Sequence, residues 1–375
     1  MKINEMSQIL IGASCLKALK EVNLYYVNLH ISQCRLTVQS SVKERKTMGK
    51  GDSRPEWMKI ILKYNKPDPL KSWWQLVNSV GGYLILWVLM IRSLEISYWL
   101  TLALSVFAAG FLIRIFIIFH DCGHGSFFKS KRMNTITGII TGLMVFTPYH
   151  KWHHDHHIQH NTVGNLEKRG TGDVKTLTVD EYNKLSGWKR FSYRFYRHPV
   201  FLFGVAPPLL FVVQNRFTKS YMSVKEKLYV HISNLALVGA IALIIWAIGW
   251  RAFLLVQLPV LYIATVHGVW LFYVQHQFRH VLWTNTRNWD YQTVALRGSS
   301  LFKLPALLNW FTGSIGYHHI HHLRPAIPNY NLKRCHMENP LFQQVKPITF
   351  MTAFESLLLR LWDEKKQSLI RFREM

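Results

Sequence analysis

Three short stretches of the chain concentrate histidine at spacings that place side chains on one face of a helix. "FHDCGHGS" carries His120 and His124 at i, i+4, and "GYHHIHHLRP" carries His318, His321 and His322 at i, i+3, i+4. Between them "KWHHDHHIQHN", residues 151 to 161, holds five histidines in eleven residues. This middle stretch has two frames: H-x-x-H-H beginning at His153, or an imperfect copy beginning at His156. Neutral imidazole is a good ligand for iron, zinc or copper. A single cluster would be weak evidence, because His120 can cap a helix and His153 can simply be solvated. Three clusters together point to ligands from three helices, enough to hold two metal ions.

The donor set narrows the metal. Zinc usually takes four ligands, and these stretches offer about twice that number. No cysteine lies where a thiolate cluster or thiolate haem would need one. The Glu-x-x-His pairs of soluble di-iron bundles are absent from the three stretches. A histidine-rich two-iron centre is the economical reading. Its chemistry would be activation of O₂ against an unactivated C–H bond, which acid–base side chains cannot attack.

The elements that must position these residues are membrane helices. The chain is 49% hydrophobic and only 17% charged over 375 residues. Four runs, near 74–92, 96–118, 229–249 and 252–275, approach the ~20 apolar residues needed to cross a bilayer. Each pair is joined by a very short linker, "RSLE" or "GWR", and so forms a tight hairpin. Two more apolar stretches, 134–148 and 199–213, are shorter or broken by Pro207 and Pro208 and are expected as interfacial or re-entrant helices. The expected fold is all-α and integral to the membrane: four transmembrane helices in two hairpins, interfacial helices, and a cap carrying the histidine stretches.

The net charge of +25 would suggest nucleic acid in a soluble chain. Here Lys and Arg lie mostly outside the apolar runs, which favours lipid headgroups and acidic proteins as partners and argues against nucleic acid. Their bias places both termini, the segment 119–228 and hence the histidines in the cytoplasm. Lys and Arg at 184–197 are expected as a solvated face. The cysteines, Cys15, Cys34, Cys122 and Cys335, are far apart and unpatterned. Residues 1–47 are expected as an extension without a folded role, with Met48 resembling a natural start, and 48–375 as one domain.

The three stretches resemble the histidine boxes of membrane fatty acid desaturases, H-x(3,4)-H, H-x-x-H-H and H-x-x-H-H. "GNLEKRGTGDVKTLTVDEY", "WLFYVQHQF" and "KLPALLNWFTGSIGYHHIHHLRPAIPNY" are similar to phrases of bacterial acyl-lipid desaturases, most like the Δ5 type. The resemblance covers about residues 65 to 370.

The resemblance implies a ligand set. In the family a Trp precedes the second box by four residues, so Trp152 sets the frame at His156, and Gln159 stands where the family has histidine. The metal ligands would be His120, His124, His156, His160, His276, His318, His321 and His322, with His276 supplied by "FYVQH". The lost position would fall to His157 or His153 on the same helical stripe, to the Gln159 carbonyl, or remain empty. Asp121 and Asp155 beside the boxes would hold histidine N–H groups or be solvated acids. Ser314 stands where the family has Asn, a residue expected to orient a ligand, and Arg279 where it has Glu. Asn165, Arg169 and Asp173, with Gly164, Gly170 and Gly172, would form a loop over the site.

The resemblance also implies a reaction. The cofactors would be two iron ions cycling between Fe²⁺ and Fe³⁺, with O₂ as co-substrate. A cis double bond would be put into an acyl chain of a membrane phospholipid. No fused cytochrome b5 phrase is present, so electrons would come from ferredoxin or flavodoxin at the plasma membrane. The alternatives are a hydroxylase or ketolase of the same superfamily, or an impaired homologue.

Overall fold

The computed structural model describes residues 55–170 and 172–375; the expected extension, 1–47, lies outside them. Helices α1 (Glu56–Leu62), α2 (Pro69–Ser93), α3 (Tyr98–Gly123), α4 (Lys131–Met144) and α5 (Tyr149–Thr162) come first. They are followed by α6 (Val179–Asn183), α7 (Gly187–Tyr196), α8 (Ala206–Val212), α9 (Val224–Ile248) and α10 (Trp250–His276). The C-terminal part holds α11 (Tyr291–Arg297), α12 (Ala306–Phe311), α13 (His318–Leu323), α14 (Asn329–Met337) and α15 (Phe350–Ser356).

Among the described residues four helices, α2, α3, α9 and α10, are long and apolar enough to cross a membrane. The four expected runs all fall on them. Their starts follow from capping chemistry. Asp68 accepts from the backbone N–H groups of Leu70 and Lys71 ahead of α2, with Pro69 in its first turn. Ser223 and Glu226 form a capping box at the start of α9. Gly249 alone joins α9 to α10 at φ +82°, a conformation that penalises any Cβ. The outer helices expose Leu84, Ile85 and Val88 on α2, and Leu235, Val238 and Trp246 on α9. Such faces require hydrocarbon against them, while the helical backbone satisfies its own polar groups.

The second apolar run ends near 118, but α3 continues to Gly123; α10 likewise ends on His276 itself. The last turns of two membrane helices therefore carry the polar residues into the cap. The stretch expected at 134–148 is α4. The stretch at 199–213 follows α7 at a 53° bend, with a π-helical turn at Val200–Val205 before α8.

Two apolar cores meet across these helix ends. One gathers Tyr83, Leu112, Ile118 and Phe119 with Val256 and Val260. The other joins Ile117, Tyr273 and Val274 to Phe302, Ile320 and Leu332 of the cap. Because α3 and α10 contribute to both, their ends cannot shift without disturbing either core.

The cap also contains strands too short to leave a two-residue periodicity in the sequence. β1 (Leu177–Thr178) pairs parallel with β4 (Leu361–Asp363), which pairs antiparallel with β5 (Ser368–Ile370). β2 (Leu301–Phe302) pairs parallel with β3 (Pro347–Ile348). Lys184, Lys189, Arg190 and Arg194 are exposed, as expected of a solvated face at 184–197, and Arg197 is the exception. It is buried, and its guanidinium donates to Lys175 O, Thr176 Oγ1, Tyr273 Oη and Leu359 O. One cation thereby ties the loop before β1, the end of α10 and the chain before β4.

Candidate metal centre

Eight imidazoles converge where these helices end. Five, His120, His124, His156, His160 and His321, offer nitrogen atoms that all lie within 4.8 Å of one another. Three more, His276, His318 and His322, form an adjoining group by the same measure. The groups touch through the His160 and His322 rings, stacked with centroids 4.0 Å apart.

The placement obeys a simple rule. On α5, His156 and His160 (i, i+4) face the first group, while Gln159 (i+3) reaches the second, its Nε2 3.1 Å from His276 Nε2. On α13 the arrangement is mirrored. His318 and His322 (i, i+4) face the second group, and His321 (i+3) reaches back to His160 at 3.1 Å. Each short helix thus gives a pair to its own group and one side chain to the other. α3 and its cap residue add His120 and His124 to the first group, and α10 adds His276 to the second.

The frame beginning at His156 is the one this geometry uses. His153 and His157 are exposed on the flank of α5 beside its buried face, their rings 6.4 Å apart, and belong to neither group. Neither reaches the cluster, so the suggestion that they fill the position of residue 159 is corrected. The i, i+4 stripe that includes them is real, but it curls away from the buried face.

Residues expected to support the ligands divide in the same way. Asp121 is fully buried. One carboxylate oxygen lies 3.1 Å from His120 Nδ1, and the other accepts from Asn329 N and Nδ2 at 2.7 and 2.8 Å. Asn329 in turn accepts from Gln75 on α2. Asp155 does no such work: its carboxylate is taken by Lys219 and Tyr221. Ser314, at φ +60°, accepts from Asn309 Nδ2 at 3.0 Å. Asn165 is buried, and its oxygen accepts from the N–H groups of Glu167 and Lys168, closing the turn that follows the second box. Arg279 is paired with Glu355 and Glu374, both C-terminal to the boxes. Sequence reasoning missed Asn329 and Gln75. Their signal is long-range, since 208 residues separate Asn329 from Asp121.

Gly172 lies against the second box. At Gly172, φ +76°, an added Cβ would stand 2.8 Å from Gln159 Cβ and 3.2 Å from Asp155 O. Asp173 follows it; loss of solvent pushes its carboxyl up to about 7, with Gln159 working the other way.

The donor set fits a transition metal. Nε2 atoms of His156, His160 and His321, and of His276, His318 and His322, stand 3.0–3.1 Å apart in chains. Two imidazole nitrogens can share one proton, but several lone pairs aimed at one space need a cation. His124 Nε2 and Gln159 Oε1 are buried with no hydrogen-bond partner. Burial first, and then neighbouring imidazoles, hold His124, His156, His160, His318, His321 and His322 well below the usual histidine pKa. Those rings are therefore neutral near pH 7, the form that ligates metal.

The model of the family described as fatty acid desaturase matches residues 97–350. A fatty acid desaturase of Bacillus subtilis (strain 168) is 47% identical over 315 residues, covering 84% of this chain and 90% of that protein. The sn-1 acyl-lipid omega-3 desaturase (ferredoxin) of Synechocystis sp. is 30% identical over 252 residues, 62% of this chain and 64% of its own. An endoplasmic reticulum omega-3 fatty acid desaturase of Nicotiana tabacum is 28% identical over 283 residues, 71% of each chain. The matched region contains α3, α5, α10 and α13, the four helices that bring the imidazoles together, and on that ground the chain belongs to the fatty acid desaturase family and is an oxidoreductase.

Proposed function

We propose that the protein is an acyl-lipid desaturase that introduces a cis double bond into a membrane phospholipid acyl chain. The observation that carries this reading is the convergence of eight imidazoles, all but that of His124 buried, in two adjoining groups at the ends of apolar spans. His120, His124, His156, His160 and His321 would hold one iron, and His276, His318 and His322 the other. Bound there, the pair supplies the reductive activation of O₂ and the hydrogen abstraction that no side chain can provide.

The chain's own part is positioning and exclusion. Asp121 fixes His120 with its Nδ1 toward the carboxylate, leaving the other ring nitrogen for the centre. The apolar walls of the membrane helices suit an acyl tail and keep water from the oxidising site. Bond position would follow from how deep the tail enters, because the reacting methylenes offer no polar handle. The Synechocystis relative is named for ferredoxin, and a basic chain of +25 suits an acidic carrier such as ferredoxin or flavodoxin. The charge bias supports cytoplasmic boxes and termini; the enzyme would sit in the plasma membrane, with 48–375 as its desaturase domain.

The test is lipid profiling of a desaturase-deficient host expressing this chain. New monounsaturated phospholipid acyl chains are expected. Hydroxylated chains would instead assign the related hydroxylase chemistry, and an unchanged profile in a host supplying ferredoxin would refute activity.

A further inference from the structure

The second histidine group is one donor short, and the side chain at that position is an amide. By the mirrored rule of α5 and α13, Gln159 is the counterpart of His321: each is the i+3 residue reaching from its own helix into the opposite group. Gln159 has no exposed surface. Its Nε2 lies 3.1 Å from His276 Nε2, while Oε1 is buried without any donor. A carbonyl oxygen left unpaired in the interior costs about 1–3 kcal/mol, which a cation at the convergence point would relieve. The last torsion of a glutamine side chain is broad and nearly two-fold, so Oε1 can turn toward that point within a normal rotamer. The stem of the side chain has little room to leave: a Cβ added at Gly172 would stand 2.8 Å from Gln159 Cβ.

We propose that the second metal position is a three-imidazole, one-oxygen site completed by the Gln159 carbonyl. This rests on the two-iron reading and adds an asymmetry to it. The first position has five imidazoles, and the second has three plus a neutral oxygen. A carbonyl is a harder and weaker donor than imidazole for ferrous iron. The second iron therefore leaves first, and the chain passes through a one-iron form that an all-histidine site would scarcely populate.

The experiment is stepwise chelation of the purified, ⁵⁷Fe-reconstituted full chain in detergent. Iron per chain is measured by mass spectrometry, and the two sites are followed by Mössbauer spectroscopy. For the unaltered chain two irons and two unequal signals are expected, with one signal lost at a chelator concentration at least tenfold below the other. Gln159→His should bring the two signals together and close that gap. Gln159→Leu should retain one iron, and Gln159→Glu, an oxygen donor of the same length, should retain two. Two irons released alike in the unaltered chain, Gln159→Leu and Gln159→His would overturn the assignment and leave the two-iron reading intact. One iron in the unaltered chain with two in Gln159→His would also overturn it, by showing the position open. No iron in either would remove the reading on which it rests. Should Gln159→Leu fail to fold, equal release in the unaltered chain, Gln159→Glu and Gln159→His overturns the proposal equally well.

Discussion

Replacing Asp121 by Asn should turn a ligand imidazole into a poor one without moving it. One oxygen of Asp121 is committed to two donors, Asn329 N and Nδ2, and the other faces His120 Nδ1 at 3.1 Å. A carboxylate only accepts, so it requires the proton on Nδ1 and leaves Nε2 with a lone pair. An amide at this position must still give its oxygen to Asn329, which offers only donors there. Its NH₂ then meets His120 Nδ1 and requires that nitrogen to accept. The ring proton moves to Nε2, where it competes with a metal. Losing a partner that orients a ligand costs roughly 10- to 100-fold in metal affinity, or about 1.4–2.8 kcal/mol. A smaller, separate loss of metal-free stability, about 1–2 kcal/mol, follows from replacing a charged acceptor by a neutral one. Chelator competition measures the first, and unfolding of the metal-free protein in detergent measures the second. Asp121→Ala separates them further. It leaves the ring free to choose its tautomer but strands two Asn329 donors, so it should lose more stability and less affinity than Asp121→Asn. Folded Asp121→Asn that binds iron as tightly as the unaltered protein would contradict this account of His120.

Three further outcomes are expected. Arg279 holds the Glu374 carboxyl down from 4.5 to about 2; a depressed carboxylate stabilises the fold fully above its ordinary pKa and ceases to do so as pH falls through the folded value. Arg279→Gln should therefore be less stable at pH 7, by about 1 kcal/mol or less for so exposed a network. That difference should vanish between pH 4.5 and 2, and a constant difference across the range would contradict the pairing. Gly172→Ala must accommodate a Cβ 2.8 Å from Gln159 Cβ at φ +76°, costing about 1–3 kcal/mol; an unchanged melting temperature would mean that the loop does not rest on the second box. Ser314 adopts φ +60°, which Asn tolerates better than Ser. Ser314→Asn should raise the unfolding free energy by several tenths of a kcal/mol up to ~1, and a lowered value would mean that the Asn309 contact outweighs the backbone.

The mirrored use of α5 and α13 shows where sequence patterns reach their limit. Both boxes are legible as helical histidine spacing, and Trp152 sets the correct frame. Yet nothing in the letters says that His321 serves a different group from its neighbour His322. His153 and His157 illustrate the same limit. They satisfy the helical stripe, and only the burial of the adjoining flank of α5 removes them. Asp121 and Asp155 have equal claims as acids beside a box, until Asn329 arrives at one and Lys219 at the other.

Local chemistry along the chain is enough to specify the membrane helices, their pairing into hairpins and the helical faces bearing histidine, because hydrophobic runs and 3.6-residue spacing are properties of neighbouring residues. Folding in three dimensions selects which imidazoles share a metal position, sets Gln159 opposite His276, buries Arg197, and picks the acid that aims a ligand. Those are relations between segments up to about two hundred residues apart, held by the packing of α3 and α10 into two cores at once, and no local periodicity encodes them.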